Sequence, residues 1–113
     1  MPMDMFYALA EPTRREIIEM LAKNGQLSAT DISEKFPVSP PAISQHLKVL
    51  REANMVRVEK QAQRRLYQIN PQAMRELEKW AKEMTKLWKE RFDSLDKLLN
   101  AENAKARKHG RNT

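Results

Sequence analysis

Residues 39–54 read SPPAISQHLKVLREAN, and the fold that the sequence predicts follows from this stretch. Serine is a preferred N-cap and proline is favoured at the first helical position, so a helix is predicted from Pro40 to about Ala53. Its apolar side chains recur every three to four positions, and the residues between them are small or polar. The helix is therefore expected to bury one face and to present the other.

The two faces of this helix differ in composition. At about 100° per residue, Leu47 and Leu50 fall within about 40° of Ile43, and the three residues form a core stripe. The opposite side carries small or polar side chains: Pro41, Ser44, Gln45 and Lys48. Such a face suits a DNA major groove, because it offers hydrogen-bonding groups and no bulky aliphatic side chain. Alternatively, it is only the solvated face of an amphipathic helix.

A shorter helix is predicted just before this one. Ser28 followed by Asp31 is a variant of the capping box, and a helix is expected from there to Phe36. Residues 37–39 then form a three-residue turn into the next helix. Two short helices joined in this way make a helix-turn-helix, which favours DNA binding over the solvated-face interpretation.

The hydrophobic period changes after Asn54. Two short apolar stretches flank the polar residues 59–65, which predicts a β-hairpin with a basic tip. Arg64 and Arg65, supported by Lys60 and Gln63, are placed to reach phosphates or a minor groove. The alternative is that the charged tip only protects an edge strand.

The last helix is predicted to begin at Asn70-Pro71 and to carry an apolar stripe over more than 20 residues. One short domain is too small to cover this stripe, so we expect it to pack on a second copy rather than fold back. The expected dimerisation residues lie on the first and last helices: Phe6, Leu9, Trp80, Met84, Leu87, Trp88 and Leu95. Residues 1–100 would form the DNA-binding and dimerisation domain, and 101–113 a disordered basic tail.

The predicted fold class is mainly α with a small β-hairpin (α+β), a winged helix-turn-helix with a long C-terminal dimerisation helix. Gln45 can bond bidentately to adenine and Ser44 to several bases, whereas lysine and arginine suit phosphates. The expected DNA-binding residues come from the second helix of the motif and the hairpin: Ser39, Pro41, Ser44, Gln45, Lys48, Arg51, Arg64 and Arg65.

Charge supports a polyanionic partner. The 113 residues hold 21 Lys and Arg against 15 Asp and Glu, a formal net charge of +6. Residues 40–70 contribute six basic and two acidic side chains, so the excess is concentrated around the helix-turn-helix and hairpin. No apolar run is long enough to span a membrane and no secretory signal is present, so the expected compartment is the cytoplasm.

Catalysis, cofactors and metal sites are not predicted. The sequence has no Cys and only two His, and it lacks a Gly-rich phosphate loop or a nucleophile–base pair. His46 lies beside the core stripe and is expected to be packed and hydrogen-bonded rather than a ligand. The chain is therefore not expected to be an enzyme.

Three segments resemble the ArsR-type winged-helix repressors: residues 8–18 (ALAEPTRREII), residues 39–56 (SPPAISQHLKVLREANMV) and residues 64–69 (RRLYQI). The resemblance implies a homodimeric repressor that binds double-stranded DNA at a pseudo-palindromic operator. Metal-sensing members carry Cys where this chain has residues 27–32, or His on the last helix, and both are missing here. The chain therefore resembles the metal-independent, autorepressor-like branch. Asn54 replaces the usual Gly after the recognition helix.

Two other functions remain open. The chain could be a winged-helix architectural or protein-interaction module that reads no sequence, or a sensor whose small-molecule effector binds between the last helices. The operator, the regulated genes and any effector do not follow from the sequence.

Overall fold

The computed structural model describes the backbone of residues 4–111 and the side chains of residues 5–105. The elements are α1 (Asp4–Leu9), α2 (Pro12–Asn24), β1 (Gln26–Ser28), α3 (Ala29–Glu34), α4 (Pro40–Glu52), β2 (Val56–Gln61), β3 (Arg64–Ile69) and α5 (Pro71–Arg111). The chain divides into two compact units, Met1–Glu76 and Leu77–Thr113, and α5 begins in the first and continues through the second.

The caps of the helix-turn-helix are those that the sequence predicts. The Ser28 hydroxyl accepts a hydrogen bond from the Asp31 backbone N–H at 3.0 Å, and the Asp31 carboxylate accepts one from the Ser28 N–H at 3.4 Å. This reciprocal capping box opens α3. Ser39 caps α4, with Pro40 at its start. The predicted helix-turn-helix is therefore confirmed.

The core of the first unit packs around the buried stripe of α4. Ile43, Leu47 and Leu50 are almost fully buried, as the helix periodicity predicts. Ile17 and Leu21 of α2 are equally buried. Because this stripe is the buried face of α4, it also determines which side chains of the helix face outward.

The sheet has three antiparallel strands in the order β1-β3-β2, one more than the hairpin that the sequence predicts. The predicted hairpin is present as β2 and β3, joined at Ala62 and Gln63. The additional strand, β1, pairs Leu27 with Tyr67, which also pairs with Val58 on its other side. A strand of three residues is too short for an alternating pattern to show in the sequence.

The helix α4 ends in a Schellman motif at Asn54. The Met55 N–H donates to Leu50 O at 2.9 Å, and the Asn54 N–H donates to Arg51 O at 3.0 Å. Asn54 has a left-handed backbone, with φ of 58°. Asparagine tolerates this conformation better than most residues, which explains how the chain can turn here without a glycine.

The last helix begins at Pro71, as predicted, and continues to Arg111. The sequence instead predicts a disordered tail from residue 101 onward. Residues 101–111 lack an apolar stripe, but they are rich in Ala, Lys and Arg, which have high helix propensity. Residues 112 and 113 of the expected tail lie outside the described residues.

Candidate nucleic-acid interface

The outward face of α4 carries the residues that the sequence assigns to DNA. All of its predicted contact residues are exposed: Pro41, Ser44, Gln45, Lys48 and Arg51. The stripe on the other side of the helix is buried. In the folded chain, α4 is therefore amphipathic, with one buried apolar side and one exposed side of small and polar residues. Its hydrogen-bonding groups are accessible to a partner without rearrangement of the core.

Ser39 occupies the N-cap of this helix. Its hydroxyl oxygen accepts a hydrogen bond from the Ala42 N–H at 3.4 Å, and its side chain is exposed. Accepting this bond leaves the hydroxyl hydrogen available to donate. Ser39 can therefore cap α4 and contact a phosphate at the same time.

A surface cavity of about 250 Å³ brings α4 together with the hairpin. Ser44, Lys48 and Arg51 line it from α4, and Arg65 lines it from β3. These four residues are separated by up to 21 positions in the sequence but share one concave surface. Three of them are cationic, so this surface suits an anionic partner.

Arg64 forms an ion pair with Asp31, whereas Arg65 lines the cavity shared with α4. The guanidinium Nη2 of Arg64 lies 3.5 Å from the Asp31 carboxylate, in an ion pair whose two side chains are 65% and 45% exposed. Hydrogen bonds with the Ser28 side chain and backbone lower the pKa of Asp31, and the charge of Arg64 lowers it further. Arg64 thus links the hairpin to the first turn of α3, an interaction that the sequence analysis did not predict.

A second cavity, of about 410 Å³, lies between α3 and α4. Thr30, Ser33 and Glu34 line it from α3, and Pro40 and Ser44 line it from α4. The interface predicted from the sequence does not include α3. The sequence feature that could have indicated this part of the interface is the polar side of α3, a short helix whose buried residue is Ile32. The carboxylate of Glu34 adds negative charge at this end of the interface and would repel a phosphate.

A polar cluster joins α2 to the inner flank of α4. Arg14 is only 7% exposed, and its Nη1 lies 3.2 Å from Nδ1 of His46. Its Nε donates to Ala8 O at 2.7 Å and its Nη2 to Tyr7 O at 3.2 Å. The hydrogen bond confirms the packed role predicted for His46. Arg14 itself was missed, although it lies three and four positions before the buried Ile17 and Ile18.

Glu11 completes this cluster. Its carboxylate accepts the Arg14 backbone N–H at 3.1 Å as the N-cap of α2, and it lies 3.8 Å from Nδ1 of His46. Desolvation raises the pKa of Glu11, but the hydrogen bond from the Arg14 N–H and smaller contributions outweigh it, so that the pKa is lowered. The carboxylate therefore stays ionised and balances the buried guanidinium.

The described part of α5 that begins at Leu77 carries a row of exposed apolar side chains at helical spacing. Leu87 is 58%, Trp88 68% and Leu95 53% exposed. Trp80 and Met84 are about 40% exposed, and Phe6 on α1 is 37% exposed. Leu9 is half-buried. Phe92, Leu98 and Leu99 belong to the same apolar row and are also exposed.

Among the described residues, no group of three or more His, Asp or Glu side chains could hold a metal ion. Within the same part of the chain, no helix is long and apolar enough to cross a membrane.

Comparison with known proteins places these features in a family. The sequence profile described as "Bacterial regulatory protein, arsR family" matches residues 11–58. The chain is 37% identical over 95 residues to an HTH-type transcriptional regulator of Mycobacterium tuberculosis, with 84% of this chain and 85% of that protein covered. It is 35% identical over 77 residues to the transcriptional repressor SdpR of Bacillus subtilis, with 68% of this chain and 84% of SdpR covered.

A solved structure supports the fold. An ArsR-like transcriptional regulator from Rhodococcus sp. RHA1 superposes with a TM-score of 0.76 at 23% identity, covering 87% of this chain and 89% of that chain. Fold and relatives together define a winged helix-turn-helix, DNA-binding transcriptional regulator. The chain belongs to the arsR family of bacterial regulatory proteins. The relatives are named as transcriptional regulators and not as enzymes.

Proposed function

We propose that this protein is a homodimeric repressor that binds a pseudo-palindromic operator in double-stranded DNA and blocks transcription of its own or a neighbouring operon. The observation that carries the proposal is the surface shared by α4 and β3. It combines exposed hydrogen-bonding groups of one helix with cationic side chains from both elements. The repressor function named for SdpR is consistent with this role.

Within the complex, α4 lies in the major groove with its N-terminal half against the base edges. Gln45 reads adenine through a bidentate hydrogen bond, and Ser44 bonds to a base or phosphate. Lys48 and Arg51 neutralise phosphates, for which charge and reach matter more than fixed geometry. Arg65 extends the same contacts to the flanking backbone or minor groove.

The dimer forms through the apolar row of α5 together with α1. A row in which several large side chains are more than half exposed is a large apolar surface for a monomer, and a second copy would bury it. Symmetry then presents two copies of α4. To meet successive major grooves on one side of DNA, they must lie about 34–36 Å apart. The two-fold symmetry of the dimer is the reason to expect a pseudo-palindromic site.

The proposal is tested by measuring affinity for a selected operator duplex and for its single-base variants. We expect Gln45→Ala to flatten the preference at one position of each half-site, by about 1–3 kcal/mol for each bidentate bond that is removed. Gln72→Ala is the matched control, since Gln72 is an exposed glutamine at the start of α5. If Gln45→Ala retained every base preference of the wild type, base reading by Gln45 would be wrong. Binding without any preference in the wild type would indicate an architectural module.

A further inference from the structure

The buried guanidinium of Arg14 lies away from the exposed residues assigned to DNA contact, yet it bonds directly to the helix that carries them. We propose that Arg14 is a positioning residue, which holds α4 through His46 in the orientation that base reading requires. The inference rests on the proposed function, because it assigns a role within sequence-specific binding. It concerns how α4 is held rather than what α4 contacts.

The contact between Arg14 and His46 has a defined direction. A guanidinium has donors only, so at 3.2 Å the Nδ1 atom of His46 must accept the hydrogen bond from Nη1. The ring proton then lies on Nε2, which fixes the tautomer. Because a histidine ring is rigid and its nitrogen lone pair is directional, the bond constrains the rotation of α4 as well as its distance from α2.

Arg14 is itself held on its other sides. Its Nε and Nη2 donate to Ala8 O and Tyr7 O, carbonyl groups near the C-terminal end of α1, and its guanidinium carbon lies 5.2 Å from the centre of the Tyr7 ring. A buried cation with three hydrogen bonds cannot shift without leaving a polar group unsatisfied. The guanidinium is therefore held in one position, and it is hydrogen-bonded to both α1 and α4.

His46 directly follows Gln45 in the sequence, so the residue that is hydrogen-bonded to Arg14 is adjacent to the base-reading residue. A rotation of α4 about its axis would move Gln45 relative to the base edges. A bidentate bond to adenine tolerates little displacement, whereas a lysine or arginine on a phosphate tolerates more. Removal of the hydrogen bond between Arg14 and His46 should therefore reduce binding to the operator and leave nonspecific binding almost unchanged.

The test uses the full-length protein and two duplexes of equal length, the selected operator and a random sequence. The measured quantity is the specificity ratio, which is the dissociation constant for the random duplex divided by that for the operator. The salt dependence of each dissociation constant is measured as well. We expect Arg14→Gln and His46→Phe to lower the ratio about tenfold, as for the removal of one base-reading hydrogen-bond pair, with an unchanged salt slope. His46→Gln is expected to keep a ratio close to that of the wild type, because the amide oxygen of the introduced glutamine can accept the hydrogen bond from Arg14.

Arg15→Gln is the matched control. Arg15 is the next residue on α2, and its Nη1 donates to Leu9 O at 2.6 Å, so it also attaches α1 to α2. No hydrogen bond joins it to α4 among the described side chains. Its removal should leave the ratio unchanged. A purely structural role for Arg14 would lower the folded fraction and weaken both duplexes equally, again without changing the ratio.

Three results would overturn the inference. One is a folded His46→Phe protein with the wild-type ratio, which decides the question even if Arg14→Gln fails to fold. Another is an equal fall in the ratio for Arg15→Gln and His46→Phe. The third is a wild-type protein with no preference between the duplexes, which would overturn the proposed function as well. The first two results would overturn the inference alone and leave the proposed function standing.

Discussion

Arg65 and Gln45 carry different kinds of hydrogen-bonding group, and their substitutions are expected to act differently on DNA binding. We predict that Arg65→Ala weakens binding to every sequence by a similar factor and reduces the slope of log K against log salt by about 0.9 for each phosphate that is no longer neutralised. The measurement is a salt titration with operator and random duplexes. A decrease in affinity confined to the operator would show instead that Arg65 reads bases.

Substitutions of Asn54 test whether the chain between α4 and β2 requires a left-handed backbone conformation. The φ of 58° at Asn54 is unfavourable for residues with a β-carbon other than asparagine and aspartate. We predict that Asn54→Ala lowers the free energy of unfolding by about 1 kcal/mol, whereas Asn54→Gly changes it by only about 0.5 kcal/mol in either direction. Chemical denaturation measures both. Equal destabilisation by the two substitutions would contradict the left-handed cap.

At the scale of residues, the sequence indicates outward-facing positions better than buried polar ones. Ser44 and Gln45 are predictable because helical periodicity places them opposite a core stripe. The ion pair between Arg64 and Asp31 joins residues 33 positions apart, and no local pattern encodes it. Arg14 had a local signal, since it shares a helix face with Ile17, but an arginine on an apolar face does not reveal its partner.

The elements of the helix-turn-helix depend on their caps, and α3 is short enough for its cap to matter. The Ser28 side chain is buried and accepts the Asp31 N–H. We predict that Ser28→Ala lowers the free energy of unfolding by about 1 kcal/mol. It also removes a hydrogen-bonding partner of Asp31, so the pairing with Arg64 should loosen. Denaturant unfolding and hydrogen exchange of the α3 amides measure the two effects.

The matched control for this cap is Ser33→Ala, which removes a serine hydroxyl within α3 rather than at its N-cap. We expect it to cost much less than Ser28→Ala. Equal destabilisation by the two variants would show that the hydroxyl of Ser28 does not stabilise α3 as a cap.

Among the elements, long periodic segments and capped helices are predictable, and short paired ones are not. The boundaries of α4 follow from Ser39-Pro40 at one end and Asn54 at the other. The strand β1 has three residues and owes its conformation to pairing with β3, in which Leu27 and Tyr67 are 40 positions apart. Apolar periodicity predicts a shorter α5, whereas the helix continues to Arg111 through helix-forming residues that lack this periodicity.

Binding to an inverted repeat requires two copies of the chain in one assembly. We predict that Leu95→Glu raises the dimer dissociation constant and weakens operator binding, because it places a carboxylate in the apolar row of α5. Lys97→Ala is the control, since it changes the net charge by the same amount on the opposite side of the helix. Size-exclusion chromatography with light scattering measures the dimer. A wild-type monomer at micromolar concentration would contradict the proposed assembly.

The most direct test of the central claim is selection of DNA from a random oligonucleotide pool by the wild-type protein. We expect an enriched inverted repeat whose half-sites are centred about one helical turn, 10–10.5 base pairs, or a multiple of it apart. The same selection with Gln45→Ala should return a repeat in which one position of each half is no longer specified. A wild-type pool without a consensus would contradict sequence-specific reading by α4.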